Sequence, residues 1–289
     1  MSFKKAVKYK EKLRMGLFAP SGGGKTYTAL LFAKKTGGTI AYIDTENRSS
    51  ARYIGDPGIP EFDIAELSWD ETMSGEAYVN KLVALINEAS KSYDTIIVDS
   101  LTHAWSACKS EVDAAAQRMR TPNSYVAWRE GSKLWSSVRE AILNCQSYII
   151  ICARSKQDYV QEKDERGKTS IRKVGMAPEL REGMEYELDI VCEIDTDHVM
   201  TVTKSRCSAV DGKICKKPTG EWLNPVLTWL GGVERPVEAI VTPVVPLVDQ
   251  AKSMYLQLKG LNAESADAIK AEYGTDYEGM ITALEARLA

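Results

Sequence analysis

Residues 13–26 read Leu-Arg-Met-Gly-Leu-Phe-Ala-Pro-Ser-Gly-Gly-Gly-Lys-Thr, and the fold is decided there. Met15 to Ala19 is an apolar run with the length of a buried strand. Pro20 to Gly24 supply a turn, and Lys25-Thr26 open a segment with apolar residues at Leu30, Leu31 and Ala33. Strand, glycine loop and helix in that order are the context a phosphate-binding loop requires. The glycines let consecutive backbone N–H groups converge on phosphate oxygens without Cβ interference. Ser21, Gly22, Gly23, Gly24, Lys25, Thr26 and Tyr27 are therefore the expected nucleotide-binding set. Lys25 brings a point charge to the β- and γ-phosphates, and the Thr26 hydroxyl is an expected ligand for Mg²⁺. The pattern G-x-x-x-x-G-K-[ST] is met with Ala19, a small residue, in its first position. The expected ligand is a nucleoside triphosphate with Mg²⁺; the companion residues below narrow it to ATP.

Outward from this loop the chain alternates strands and helices. Thr39 to Asp44 reads as a second strand, and residues 50–62, rich in Gly and Pro, as a loop. A helix is expected from about Gly75 to Ser90, with Val79, Leu82, Val83 and Ile86 on one face. Thr95 to Ser100 is a near-continuous apolar strand of the kind buried on both faces of a parallel sheet. Helices over 101–118 and 124–144 follow, then a buried strand from Tyr148 to Ala153. Residues 157–174 alternate around Gly167 as a β-hairpin, and Leu188–Ile194 with Val199–Thr203 read as an antiparallel pair. The expected class is α/β: five or six strands in a mostly parallel twisted sheet, flanked by helices, with an antiparallel edge. Residues 231–248, with three prolines before position 247, read as a linker between a core of residues 1–230 and a small helical C-terminal module, 249–289. Its helices are expected over 251–258, 263–272 and 277–288.

The 289 residues are 44% hydrophobic and 27% charged, a soluble globular composition. No stretch approaches about 18 consecutive apolar residues, and the N-terminus lacks the apolar region of a signal peptide, so no membrane and a cytoplasmic location are expected. Six scattered cysteines without a C-x-x-C pair and two histidines argue against zinc. Net charge is −3, but residues 1–14 carry six Lys/Arg against Glu11, and residues 154–175 are rich in Lys and Arg. Local basic segments of this kind can hold a polyanion. Trp128 and Trp135, seven apart on one helix, are expected in the core, and His103 is expected to be a satisfied structural histidine.

The companion residues narrow the type of site. Asp99 ends the buried third strand, where a carboxylate sits beside the phosphates and holds Mg²⁺. AAA-type ATPases place a glutamate directly after this aspartate; here the position is Ser100, and the available carboxylate is Glu46. The set Ala19–Thr26, Tyr42–Glu46 and Ile96–Ser100 resembles the RecA-like ATPases. The resemblance covers roughly residues 10–230 and is closest to the short RecA-core proteins of bacteriophages that act in recombination or single-strand annealing. It implies that Glu46 is the general base. It places Arg154, where RecA itself usually has glutamine, at the γ-phosphate sensor position. It also implies that Lys204 and Arg206, in Val202-Thr-Lys-Ser-Arg206, reach a neighbouring subunit's γ-phosphate.

By the same resemblance, the chain forms a homo-oligomer, ring or filament, and binds single-stranded DNA through two loops, with Arg118, Arg120, Lys163, Arg166, Lys168, Arg172 and Lys173 on the phosphates. The C-terminal module would then dock a partner such as a single-strand-binding protein. The function implied is homologous pairing or annealing with DNA-stimulated ATP hydrolysis. Alternatives are a non-hydrolysing annealing protein, a hexameric helicase-type motor and a small-molecule kinase.

Overall fold

In the computed structural model, residues 5–69, 72–119, 124–163 and 169–232 and most of 251–288 are described. Backbone contacts divide the chain into two units, residues 1–233 and 234–289.

The first unit is a sheet whose strands are β1 (Arg14–Ala19), β2 (Ile40–Asp44), β3 (Asp63–Glu66), β4 (Thr95–Asp99), β5 (Tyr148–Lys163), β6 (Thr169–Pro178), β7 (Ile190–Ile194), β8 (Val199–Ser205) and β9 (Ile214–Lys216). The order is β3-β2-β4-β5-β1-β7-β8-β9, with β6 paired to β5. Pairs from β3 to β7 are parallel, and β7-β8, β8-β9 and β5-β6 are antiparallel. The expected mostly parallel sheet with an antiparallel edge is therefore the observed one. β2 and β4 are buried at every residue, as strands covered on both faces must be.

The helices are α1 (Lys25–Thr36), α2 (Gly75–Ser92), α3 (Thr102–Arg118), α4 (Ser124–Asn144), α5 (Met184–Glu187) and α6 (Asn224–Leu230). One core layer joins α2, α3 and α4 to one face of the sheet through Tyr78, Leu82, Ile86, Ala104, Val138 and Ile151. The other joins α1 and α6 to the opposite face through Leu30, Phe32, Tyr42, Ile97, Ile150 and Val226. Consecutive strand residues alternate between them: Ile96, Val98, Ile149 and Ile151 face the first, Ile97 and Ile150 the second.

Nine strands among the described residues exceed the five or six expected. β3 was not foreseen because it is an edge strand with three of its four residues exposed, so it carries no apolar run. β9 has three residues and pairs only with β8. The hairpin is also not a separate element. β5 runs unbroken from the buried core at Tyr148 to Lys163 and pairs with β6, with a bulge between Asp158 and Tyr159. Its turn lies outside the described residues. Trp128 corrects the expected tryptophan pair: Trp135 is buried, but Trp128 is 37% exposed. The N-terminal part of α4 packs in a small separate cluster, Ala127 with Val112 and Ala115 of α3. Trp128 stacks on Trp105 of α3, ring centres 5.7 Å apart.

The second unit contains α7 (Ala263–Tyr273) and α8 (Tyr277–Leu288), with helical residues also at 251–252, 254–256 and 258–259. Ala251, Leu258, Ala266, Ile269, Met280 and Leu284 form its own core. The expected linker, 231–248, lies outside the described residues except for Gly231 and Gly232. No helix among the described residues is long and apolar enough to cross a membrane.

The tightest helix contact in the first layer is glycine-dependent. A Cβ on Gly75, the first residue of α2, would lie 2.1 Å from the Ala107 carbonyl oxygen of α3. Backbone cannot yield as a flexible side chain can. Gly75→Ala should therefore cost roughly 1–3 kcal/mol, seen in urea unfolding as a lower midpoint at an unchanged m-value.

Candidate active site

The carboxyl ends of β1, β2, β4 and β5 meet at one end of the sheet, and each contributes to the site. β1 runs into the phosphate loop, where the Gly23 N–H donates to the Pro20 carbonyl at 3.1 Å. Gly22 (φ 79°) and Gly24 (φ 93°) adopt left-handed backbone that side chains resist, and Gly24 caps α1. The first amides of α1 have no intrahelical acceptor, and the helix dipole adds partial positive charge there. Loop and first turn wall a cavity of about 580 Å³. Tyr27, Leu31, Tyr53, His198, Lys217, Pro218 and Thr219 also line it, with the Tyr27 and Tyr53 rings 5.7 Å apart. An anion held at the glycines thus adjoins a space with aromatic and polar walls.

Asp99 is fully buried at the end of β4. Its Oδ2 accepts from the Thr26 hydroxyl and from the Tyr42 hydroxyl, the latter at 2.7 Å. Its Oδ1 is buried with no hydrogen-bond partner. Burial raises the Asp99 carboxyl above its ordinary range, against the opposing pull of Lys25 and the two hydroxyls. An unpartnered carboxylate oxygen beside a threonine hydroxyl is an all-oxygen donor set that suits a hard divalent cation. Thr26 and Asp99 are the residues that would hold Mg²⁺, which when bound would neutralise phosphate charge.

Glu46 follows β2, and its placement is built by Asp44. The Asp44 carboxylate accepts from the backbone N–H groups of Glu46, Arg48 and Ser50 and from the Ser50 hydroxyl. Asp44 is thus consumed in folding the loop, which leaves Glu46 as the carboxylate that faces the site. Glu46 is gripped by Arg154 at the inner end of the hairpin, Nε to Oε1 at 2.9 Å and Nη2 to Oε2 at 2.6 Å. Burial pushes the Glu46 carboxyl up, but the Arg154 hydrogen bonds and the charges of Lys25 and Arg154 hold it below its usual value. Arg154 Nη2 also lies 3.3 Å from His103 Nε2. Burial and the guanidinium both disfavour a charged His103. His103 is thus partnered, as expected of a satisfied histidine, and it lies beside Arg154 and Glu46.

Lys25, Thr26, Glu46, Asp99 and Arg154 are thus brought together as the sequence suggested. Lys204 and Arg206 are not. Val191 pairs with Lys204 on one side and with Gly16 on the other, so Lys204 is level with a residue three before the end of β1. That is about 10 Å down the strand. The Lys204 ammonium donates to the Leu188 carbonyl, while Arg206 reaches Asp189 at 3.3 Å and the Tyr186 carbonyl at 2.9 Å. Neither reaches the phosphate loop of its own chain.

Arg118 is exposed and 3.8 Å from Glu111. Lys163, Arg172 and Lys173 are placed by backbone only, on the paired strands β5 and β6. Arg120, Arg166 and Lys168 lie outside the described residues. Tyr42, His198 and Lys217 were missed. Tyr42 reads as one more core aromatic, and the other two sit in turns at positive φ with no motif to mark them.

The Glu46–Arg154 pair gives a pH prediction. With Arg154→Gln, burial is no longer outweighed and the Glu46 carboxyl should rise. The acidic limb of the pH–rate profile for nucleotide hydrolysis should then move to higher pH, because a base must be deprotonated to act. The pair also stabilises the fold at neutral pH, and that contribution is lost as pH falls through the depressed Glu46 value. A stopped-assay pH series on both proteins checks the shift.

Residues 11–216 match the model of an AAA domain family. A search of curated proteins found no relative. Among solved structures, the chain is similar to a prototypical ATPase from the type III secretion system of pathogenic bacteria. Identity is 12% and the TM-score 0.40, over 99% of this chain and 88% of that one. The family match begins just before β1 and ends with β9, so it takes in the phosphate loop, Glu46, Asp99 and Arg154 together. This chain belongs to that AAA domain family, a family of P-loop ATPase domains.

Proposed function

We propose that this protein is an oligomerising, magnesium-dependent ATPase that binds single-stranded DNA and promotes homologous pairing or strand annealing in a phage-type recombination or replication system. The observation that carries this reading is the continuity of β5. One strand runs from the core through Arg154, whose guanidinium grips Glu46, into a hairpin with Lys163, Arg172 and Lys173 on its two strands. A polyanion on the hairpin would act on the same strand that holds the base, which supports hydrolysis that responds to DNA.

In this reading Lys25 meets the β- and γ-phosphates at the start of α1. Thr26 and Asp99 hold the magnesium. Glu46 accepts the proton of the attacking water once Arg154 leaves it for the γ-phosphate, so the carboxylate is locked until the triphosphate is in place. Glu46 stands where Ser100, the residue after Asp99, offers no carboxylate. The nucleobase would occupy the cavity beside the loop, against Tyr27 and Tyr53. Lys204 and Arg206, held at the far end of the sheet edge, would serve a neighbouring subunit's γ-phosphate. The second unit, residues 234–289, would dock a partner such as a single-strand-binding protein.

Lys25→Ala should lose nucleotide binding or hydrolysis, whereas Glu46→Gln should bind ATP normally and turn over at least 100-fold more slowly, a magnitude of the order general-base loss carries. Phosphate release with and without single-stranded oligonucleotide reads both. A Glu46→Gln protein with wild-type turnover would remove the base assignment.

The polymer half has a separate measurement. Alanine at Lys163, Arg166, Lys168, Arg172 and Lys173 should weaken oligonucleotide binding and flatten its salt dependence. Each lost phosphate contact reduces the log–log slope by roughly 0.7 for single strands. Unchanged affinity and slope would leave an ATPase without this DNA surface.

A further inference from the structure

The turn between β7 and β8 belongs to no motif, yet it touches the phosphate loop from two sides. Beneath the loop, a Cβ on Gly23 would meet the Ala19 Cβ at 2.9 Å and the carbonyl oxygens of Ile194 and Asp195 at 3.1 and 3.2 Å. Glycine is thus required where the turn's backbone presses on the loop. Beside it, His198 Nδ1 lies 3.1 Å from the Gly23 carbonyl oxygen, and a Cβ on Gly24 would come within 3.3 Å of the same nitrogen.

The imidazole is held there by its own turn. Asp195 Oδ1 accepts from the N–H groups of Asp197 and Val199 at 2.9 and 2.8 Å. The His198 N–H donates to the Asp195 carbonyl at 3.1 Å, and the Lys217 N–H donates to the His198 carbonyl at 2.7 Å. His198 has φ 59° and Lys217 φ 49°, backbone that non-glycine residues adopt only when their surroundings fix it.

The chemistry of the contact is constrained. A carbonyl oxygen can only accept, so Nδ1 carries the proton and is the donor. The Gly23 carbonyl and the Gly24 N–H belong to one planar trans peptide and point in opposite directions. Fixing the carbonyl on His198 therefore aims the Gly24 N–H away from the imidazole. A peptide between two glycines has no Cβ to resist a flip, so the loop does not hold that orientation by sterics alone.

We propose that His198 is a positioning residue for the phosphate loop: its Nδ1–H bond to the Gly23 carbonyl locks the Gly23–Gly24 peptide so that the Gly24 N–H is presented to the bound phosphate. This rests on the nucleotide-binding reading above. It assigns His198 to ground-state binding and not to the chemical step.

Two substitutions separate the hydrogen bond from the backbone. Glycine accepts positive φ but has no donor; asparagine tolerates left-handed backbone and offers an amide N–H near the Nδ1 position. Titrated with the fluorescent nucleotide mant-ADP and Mg²⁺, His198→Gly should bind roughly three- to tenfold more weakly, the effect of one hydrogen bond. His198→Asn should bind within about twofold of wild type. With ATP, the KM of His198→Gly should rise in the same proportion while kcat stays within about twofold, and its melting temperature without nucleotide should stay close to wild type.

Equal mant-ADP affinity for wild type and His198→Gly would overturn the assignment and leave the nucleotide reading intact. So would a fall in kcat at unchanged KM, or a lowered melting temperature that asparagine fails to restore. A wild-type protein that does not bind mant-ADP would overturn both.

Discussion

Asp99 is the constraint on which the site depends. A carboxylate with no solvent contact is costly to keep charged, and its environment compensates on one oxygen only. Oδ2 takes a hydroxyl from α1 and another from β2, and so fastens the first turn of the phosphate-loop helix to two central strands. Oδ1 is left for a cation. The Thr26 hydroxyl satisfies Asp99 here, and its oxygen is the one that would turn to a bound Mg²⁺. Tyr42 supports the same carboxylate from the other side. Its hydroxyl is pinned as a neutral donor, since burial and the charge of Asp99 push its ionisation far above the ordinary value.

Glu46 and Arg154 show a second form of restraint. The bidentate grip of Arg154 holds the Glu46 carboxylate in place and, in the proposed function that makes Glu46 the general base, withholds it from water. His103, kept neutral by burial and by the same guanidinium, can accept from Arg154 without competing for the carboxylate. The three side chains come from the loop after β2, the first turn of α3 and the interior of β5, and of these elements β5 continues outward into the hairpin. In the proposed function an event on the hairpin would thereby change the availability of Glu46.

Much of this was legible in the sequence because it was written in short, contiguous patterns. Ala19–Thr26 is a local motif, and Ile96–Asp99 is an apolar run ended by a carboxylate. Both survive any uncertainty about long-range packing. Glu46 was legible for a similar reason, at the end of a strand. What was not legible depends on tertiary neighbours. β3 forms because β2 offers an unpaired edge, and its own residues are mostly polar. Trp128 is partly exposed while it stacks on Trp105 of α3, an outcome of tertiary packing that no helical periodicity can report. His198 and Lys217 are isolated residues in turns, and they meet the phosphate loop only after β7 has been laid beside β1.

The β7–β8 pair connects two of these features. Its turn presses on the phosphate loop and presents His198 to Gly23, while its open end carries Lys204 and Arg206, tied to Leu188, Asp189 and Tyr186. The strands between are short and hydrogen-bonded, β7 mostly buried and β8 buried at Met200 and Val202, with a bulge at Val191/Cys192. A basic pair held this far from its own phosphate loop cannot serve that loop; Arg206 is held at the edge by its ion pair with Asp189 and Lys204 by the Leu188 carbonyl. The same hairpin that touches the phosphate loop at one end thus holds the two cations at the other, where the proposed function would have them meet a neighbouring subunit. A subunit contact at Lys204 and Arg206 would load the strand whose other end holds Gly23. One element would then answer both to a neighbour and to the nucleotide.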